Sequence, residues 1–185
     1  MLSAAAVFTA CVVALSGLTS ATPLARQTLC NPNFEGAGVS IIAGDVEWGY
    51  SAAVAGTPLA DDLSSFPPNA TAEWFVQQTG AFPTSYIIKT ISNTGLVAGV
   101  DNDGTALALE DIDSAEAGQI WDISCTQCSS GASSTPGGGE FASGCSISSA
   151  PSGLCASLEM GGSGIFVTDC GRSVYQTWSF WTATA

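Results

Sequence analysis

The sequence predicts an all-β domain built from three repeated units, and two observations carry this prediction. A tryptophan phrase, in which Trp is followed two positions later by an apolar residue, occurs at Trp74, Trp121 and Trp178. Its intervals, 47 residues from 74 to 121 and 57 residues from 121 to 178, suit repeated supersecondary units rather than turns of one helix. Short apolar or alternating runs bounded by Gly, Asn, Asp and Pro are frequent, whereas helical periodicity is hard to find.

The first element is an apolar segment at residues 2–15, which is typical of a secretory signal. It is too short to cross a bilayer comfortably, and Thr19-Ser20-Ala21 places small residues where a signal peptidase cuts. We therefore expect a signal peptide at 1–21, a linker at 22–29 and one secreted, extracellular domain at 30–185 that does not bind a membrane.

The charge balance is strongly acidic and restricts the partners. The chain has 16 Asp and Glu against 3 Lys and Arg, which gives a net charge of −13. Nucleic-acid binding depends on clustered Lys and Arg, so we expect no nucleic-acid partner, and anionic membrane surfaces are disfavoured for the same reason. The acidity itself is typical of an extracellular surface that relies on charge for solubility.

Six cysteines remain once the signal segment and its Cys11 are removed: Cys30, Cys125, Cys128, Cys145, Cys155 and Cys170. An even number in an oxidising compartment predicts three disulfides, for which about fifteen connectivities are open. The spacing of Cys125 and Cys128 also occurs in redox and zinc motifs. We favour structural disulfides, because Ser129-Ser130-Gly131 follows the pair and the chain has no His to complete a zinc site.

The strands predicted in order of sequence are separated by residues that favour tight turns, such as those at 93–95 and 102–104. They lie at 39–43, 46–50, 73–77, 86–91, 96–100, 105–110, 119–124, 154–158, 165–168 and 175–181. The Ser- and Gly-rich stretch at 129–153 has too little apolar content for dense strands, so we interpret 129–144 as an insertion whose far end is held by Cys145. Asn69-Ala70-Thr71 is an N-glycosylation sequon, which predicts a surface loop glycosylated at Asn69.

The third unit resembles a repeat of the ricin B-type lectins. Its order is Cys155-Ala156-Ser157-Leu158, then Cys170, then Gln176-Thr177-Trp178. The resemblance implies a β-trefoil with three degenerate, disulfide-linked repeats at about 30–80, 81–128 and 145–185, in a small secreted protein of fungal type. It also implies a bond between Cys155 and Cys170. With that bond set, we expect Cys145 to pair with Cys128, which leaves Cys30 for Cys125.

The tryptophan phrase has a physical reason that is independent of any family. A small antiparallel barrel of three hairpins must fill its axis with large side chains, and three indoles bury roughly 200 Å² each. We therefore assign Trp74, Trp121 and Trp178 to the core. Gln119 and Gln176 stand two positions before their tryptophans, where an amide satisfies backbone groups of the turn.

Sugar sites of the resembled family use an Asp, an aromatic platform and an Asn at set places. In the third unit these positions fall on Ser157, Thr168 and Tyr175, and in the second near Gly99, Glu110 and Gly118. None of these residues matches the family's pattern.

A carbohydrate site would therefore lie elsewhere. The candidates are Trp48 and Tyr50 with Asp45 or Glu47, or Asp101 and Asp103 with Tyr86. The alternatives are core filling for Trp48 and ordinary hairpin-turn chemistry for the two aspartates.

Catalysis has little support in the sequence. Without His, neither a Ser-His nor a Cys-His nucleophile can be built, and we expect no catalytic residue, cofactor or metal. The prediction is a monomeric, non-catalytic extracellular binding module. Its resemblance to the ricin B-type lectins implies a carbohydrate ligand, although the family's sugar-contact positions are not matched. The alternative is a protein-binding module, such as a protease inhibitor or effector, that uses the loops around Phe66 and Pro136.

Overall fold

The computed structural model describes residues 28–61, 74–80, 84–159, 164–171 and 173–182. These residues form an almost purely β structure. The strands are β1 (Gly38–Ala43), β2 (Val46–Tyr50), β3 (Leu59–Asp61), β4 (Trp74–Gln78), β5 (Ser85–Thr90), β6 (Leu96–Val100), β7 (Leu107–Asp111), β8 (Trp121–Ser124), β9 (Gln127–Cys128), β10 (Glu140–Ser149), β11 (Cys155–Leu158), β12 (Ile165–Thr168) and β13 (Trp178–Thr182). Short 3-10 helices lie at Ala117–Gln119, Ala132–Ser134 and Val174–Gln176.

Six of these strands close into a barrel. Antiparallel pairing runs from β1 to β4, β5, β8, β10 and β13, and from β13 back to β1. A closed ring has no unpaired edge, so every barrel strand is hydrogen-bonded on both sides. The barrel therefore supplies a rigid frame for the loops that it carries.

Each pair of barrel strands is connected by a hairpin, which gives three units of similar construction. The hairpins are β2–β3, β6–β7 and β11–β12. They also contact one another through single bridges, which join Pro58 to Ala108, Ala60 to Gly164 and Ala106 to Phe166. Because every hairpin touches the other two, the three units surround a common axis, as the three-repeat interpretation of the sequence requires.

The tryptophans of the repeated phrase begin the last barrel strand of each unit and are fully buried. Each indole N–H donates a hydrogen bond to a backbone carbonyl on the first hairpin strand of its own unit. The pairs are Trp74 with Trp48 at 3.0 Å, Trp121 with Ala98 at 2.9 Å, and Trp178 with Ala156 at 3.1 Å. One bond repeated three times places the indoles in equivalent interior positions, so the repeat in the sequence is a repeat in the structure.

Gln119 and Gln176 lie in 3-10 helices and not in the strands predicted at 119–124 and 175–181. Oε1 of Gln119 accepts from the N–H of Asp113 at 2.9 Å, and its Nε2 donates to the carbonyl of Asp111 at 2.9 Å. Gln176 makes the matching pair of bonds across its own loop. Each amide therefore holds together the loop that leads into a buried tryptophan.

The longest strand occupies sequence that we predicted to be poor in strands. β10 begins at Glu140, inside the expected insertion, and pairs with β8, β9, β11 and β13. Phe141, Cys145 and Ile147 point to the interior, while the intervening serines and Gly144 are only partly covered. Small residues suffice here because the backbone makes ladder bonds whatever the side chain, and a few inward apolar residues fix the register.

Two of the three predicted disulfides are wrong. The bond between Cys155 and Cys170 is confirmed, but Cys30 pairs with Cys128 and Cys125 pairs with Cys145. The register of β8 with β10 explains the difference, because Ser124 lies opposite Ser146 and the next antiparallel pair is Cys125 with Cys145. Cys30 still meets Cys125 through the backbone, as an isolated bridge.

Several predictions fall outside the described residues. These are the signal peptide at 1–21, most of the linker at 22–29, the sequon at Asn69 and the loop around Phe66. Within the part of the chain that the structure describes, no helix has both the length and the apolarity to span a bilayer.

Candidate functional site

The predicted sugar site around Trp48 is not formed at the surface. Trp48 is fully buried, and its ring packs edge-on against Trp74 and Trp178 with centroid distances of 6.2 and 5.3 Å. Glu47 is also buried, whereas Asp45 is exposed on the turn before it. The assignment of Trp48 as a sugar contact is therefore wrong. The carbonyl of Trp48 accepts the indole hydrogen bond of the first unit, as the carbonyls of Ala98 and Ala156 do in the other two units. Trp48 therefore occupies the position of these alanines, and its larger side chain fills the core of the first unit.

Tyr50, the partner predicted for Trp48, is half-buried. Its ring packs edge-on against Trp74 at 5.5 Å, and its hydroxyl shares a 2.9 Å hydrogen bond with the hydroxyl of Ser92. These contacts tie the first hairpin to the turn after β5. Tyr50 thus has a structural role that accounts for its position without a ligand.

Tyr86 is separated from the aspartates with which it was grouped. It is fully buried on β5, and its hydroxyl donates to the carbonyl of Pro32 at 2.9 Å. Burial raises the pKa of Tyr86, and a hydrogen bond with the Gln78 side chain acts in the opposite direction. The proposal of Tyr86 as a sugar contact is wrong, because a buried phenol already bonded to the backbone offers a ligand no surface.

Asp101 and Asp103 lie in the turn between β6 and β7. Oδ1 of Asp101 accepts from the backbone N–H groups of Thr105 at 3.0 Å and Ala106 at 3.1 Å, and Gly104 has a φ of +75°. These are the contacts of an Asx-type turn, in which a short carboxylate replaces a backbone acceptor. The turn interpretation therefore accounts for Asp101, although both aspartates also line a cavity.

This cavity, which we call the acidic cavity, lies in the second unit beside the β6–β7 hairpin and has a volume of about 760 Å³. Carboxylates dominate its polar lining: Asp101, Asp103, Glu110, Asp111, Asp113 and Glu116. No aromatic side chain lines it. Among the residues that the structure describes, no group of three or more acidic or cysteine side chains is arranged to hold a metal ion. The oxygens of the lining carboxylates make the cavity rich in hydrogen-bond acceptors.

Glu110 has a position that sequence reasoning missed. Its carboxylate occupies the space beside Gly99 that a side chain on Gly99 would need. The amide of Gln119 donates to Oε2 of Glu110 at 3.3 Å and so orients the group. Gly99 lies near the position where the resemblance to the ricin B-type lectins leads us to expect an Asp, and the carboxylate of Glu110 reaches this position from the paired strand β7. In the sequence this contact corresponds only to a Gly on one strand and a Glu on the next. It becomes visible only when the pairing of β6 with β7 is known.

The corresponding positions of the third unit form no comparable site. Ser157 is buried and its hydroxyl contacts the carbonyl of Leu158 at 3.3 Å. Tyr175 is 39% exposed but lies in a 3-10 helix with neither Ser157 nor Thr168 offering a carboxylate beside it. The second unit thus differs from the third in having a carboxylate at this location.

Comparison with known proteins identifies the fold. No protein-family model matches the sequence, and no curated protein matches it. Among solved structures, a designed three-fold symmetric protein, ThreeFoil, superposes with a TM-score of 0.55 at 15% identity, over 78% of this chain and 98% of that one. With the closed barrel, the three hairpins and the repeated indole bond, this similarity decides the fold. The chain is a β-trefoil.

Two natural proteins show the same trefoil similarity. A mosquitocidal holotoxin matches with a TM-score of 0.58 at 12% identity, over 79% of this chain but only 17% of the toxin. A Polyporus squamosus lectin, solved with the epitope Neu5Aca2-6Galb1-4GlcNAc, matches with a TM-score of 0.53 at 15% identity, over 80% of this chain and 50% of the lectin. The trefoil described here therefore spans a fraction of each of these longer chains.

Proposed function

We propose that the protein is a secreted, non-catalytic carbohydrate-binding module and that the acidic cavity of its second repeat is a sugar site. The proposal depends on the carboxylate of Glu110, which lies beside Gly99 on the β6–β7 hairpin and is oriented by a hydrogen bond from the amide of Gln119. The cavity volume of about 760 Å³ lies within the range of roughly 300 to 1,000 Å³ that small-molecule sites occupy.

The chemistry of the cavity suits hydroxyl donors. Oε2 of Glu110 already accepts from Gln119, and Oδ1 of Asp101 accepts from two backbone N–H groups, so both carboxylates are held in place before a ligand arrives. Each retains a second oxygen that can accept from vicinal sugar hydroxyls. The same charges repel carboxylated and sulfated sugars, so we expect the ligand to be neutral or to carry an amine.

Similarity to a lectin and to toxin modules supports the proposal at the level of the fold. A trefoil hosts several functions, so the argument for sugar binding depends on the cavity and on Glu110. Secretion is part of the proposal because the three disulfides of the described residues need an oxidising compartment, and the apolar segment at the start of the sequence suits export.

The test compares the disulfide-bonded protein with two variants on a glycan array and by titration calorimetry. E110Q removes the charge but keeps an oxygen that accepts from Gln119, so folding should be retained. We expect it to weaken binding at least about tenfold, which corresponds to 1.4 kcal/mol. E140Q is the matched control, because Glu140 is exposed on β10 and does not line the cavity.

Two outcomes would contradict the proposal. One is the absence of binding across neutral and amine-bearing glycans, and the other is an E110Q variant that binds like the natural protein. Inhibition of a purified protease by a glycan-silent protein would favour the alternative of a protein-binding module.

A further inference from the structure

We infer that the trefoil has a second saccharide site, for an uncharged pyranoside, in a groove that is separate from the acidic cavity. The groove lies between the N-terminal segment 33–36 and the outer face of β4 and β5, and it has a volume of about 630 Å³. Its lining mixes aromatic, polar and charged side chains, and it includes Asn33, Glu35, Phe75, Gln77, Lys89 and Thr94. None of these residues lines the acidic cavity. We call it the Phe75 groove.

Phe75 supplies an aromatic platform where the other repeats have none. It follows Trp74 on β4, points outward and is 37% exposed. The residues that follow the equivalent tryptophans are Asp122 and Ser179, both polar. Gly38, the partner of Phe75 on β1, has no side chain to cover the ring from that side. An exposed phenyl ring at a position that is polar in the sister repeats can stack on the apolar face of a pyranose.

Hydrogen-bonding groups surround the platform, and two of them carry opposite charges. Lys89 lies directly across from Phe75 on β5, and Glu35 lies in the N-terminal wall. Lys89 is the single lysine of the chain, yet within the described residues no carboxylate approaches its amino group within 4.0 Å. Glu35 and Lys89 therefore both line the groove without forming an ion pair with each other.

This arrangement favours an uncharged polyol over an ion. An anionic ligand would be attracted by Lys89 but repelled by Glu35, and a cationic ligand would be attracted by Glu35 but repelled by Lys89. A sugar hydroxyl both donates and accepts, so one neutral pyranoside can accept from Lys89 and donate to Glu35. The amide of Gln77, exposed on the same face of β4, adds one donor group and one acceptor.

The wall that carries Glu35 is already fixed. The carbonyl of Asn33 accepts from the N–H of Ala132 at 2.9 Å, and Oδ1 of Asn33 accepts from the N–H of Glu35 at 3.0 Å. Phe34 is 2% exposed and packs edge-on against Phe180 at 4.7 Å. The groove therefore exists before a ligand binds, and binding costs less conformational entropy than it would if a mobile loop had to become ordered.

The experiment uses F75A and the matched control I112A. Ile112 is 41% exposed and lines neither cavity, so its truncation removes a similar exposed apolar group elsewhere. The probes are the uncharged methyl glycosides of glucose, galactose and mannose, with galacturonic acid and glucosamine as charged comparisons. Binding is followed by calorimetry and by NMR shifts of the backbone amides of residues 75 and 89, with thermal melts as the check on folding.

We expect an uncharged glycoside to shift the signals of residues 75 and 89. The binding that these signals report should weaken at least about tenfold in F75A and stay unchanged in I112A and E110Q. F75W should retain binding, because an indole also offers a stacking face. The inference is overturned if F75A leaves the affinity reported by these signals within twofold of the natural protein, if only a charged sugar shifts them, or if no probe does. A ligand lost in E110Q but kept in F75A would support the acidic cavity and contradict the Phe75 groove, so the two proposals fail separately.

Discussion

At the scale of single residues, the buried phenol of Tyr86 links protonation to folding. Its pKa is raised above the ordinary value of 10.0 by burial, whereas the unfolded chain exposes it to water. The neutral phenol is thus favoured in the folded state. The contribution to stability is complete below pH 10 and is lost as pH rises through the higher folded pKa, because the phenolate must then form in an apolar site.

We therefore predict that Y86F flattens the alkaline decline of stability. The free energy of unfolding, measured by denaturant titration from neutral to strongly alkaline pH, should fall less steeply for Y86F than for the natural protein. Y175F is the control, because Tyr175 is 39% exposed and its substitution leaves the buried phenol of Tyr86 in place. Equal slopes for all three proteins would contradict the prediction.

Single residues also show why some features of the two cavities could not be predicted from the sequence. The alternation of Tyr86 with Ile88 on β5 marks both as inward, so the burial of Tyr86 was available from the pattern. The outward direction of Phe75 follows from the same alternation, because Trp74 and Val76 on β4 point inward, but the groove beside it depends on the N-terminal segment 33–36, which no local pattern places there. The place of Glu110 over Gly99 depends on a contact between strands, which no local pattern reports.

At the scale of elements, the strands with strong apolar alternation were predictable and the polar ones were not. β2, β6 and β12 have the predicted bounds, because apolar residues make up most of each strand and turn residues mark its ends. The buried Glu47 on β2 is an exception to this apolar pattern. β10 was missed because four of its ten residues are serines and one is glycine, although its neighbours on the barrel require a strand there. The register of β10 with β8 places Cys125 opposite Cys145 and so determines the disulfide pairing. Because β10 was not predicted, two of the three disulfides were predicted wrongly.

The connectivity leads to a prediction about stability. The bond from Cys30 to Cys128 closes a separation of 98 residues, and the bond from Cys155 to Cys170 closes 15. In the chain-entropy model the cost of removing a disulfide grows with the logarithm of loop length, so the C30S/C128S variant should lose about 1.7 kcal/mol more than C155S/C170S.

Denaturant unfolding of both double variants measures this difference, with non-reducing peptide mapping of the natural protein as the check on pairing. The prediction fails if C155S/C170S is the less stable of the two. A recovered peptide that joins Cys30 to Cys125 would contradict the connectivity itself.

At the scale of the whole molecule, the three-fold frame is regular while the surface it carries is not. The barrel and the indole bonds repeat in all three units. The acidic cavity is lined mainly by the second unit, with Ala55, Gly56 and Pro58 of the first, and the Phe75 groove lies where the first and second units meet. The frame was predictable because large core residues recur at a fixed interval. The two cavities were not, because each depends on residues that differ between the repeats.

The net charge of −13 gives the last prediction, which concerns the choice of ligand by the whole molecule. Dextran and dextran sulfate share one sugar backbone and differ in charge, so they form a matched pair. Fields from surface charges extend about 8 Å at physiological ionic strength and farther at low salt, so lowering the salt should strengthen repulsion of the sulfated polymer. We expect the protein to show no retention on immobilised dextran sulfate beyond its retention on dextran at any salt concentration. Retention on dextran sulfate that rises as salt is lowered would mean that a local cationic surface overrides the net charge, and the exclusion of anionic glycans from both sites would then be wrong.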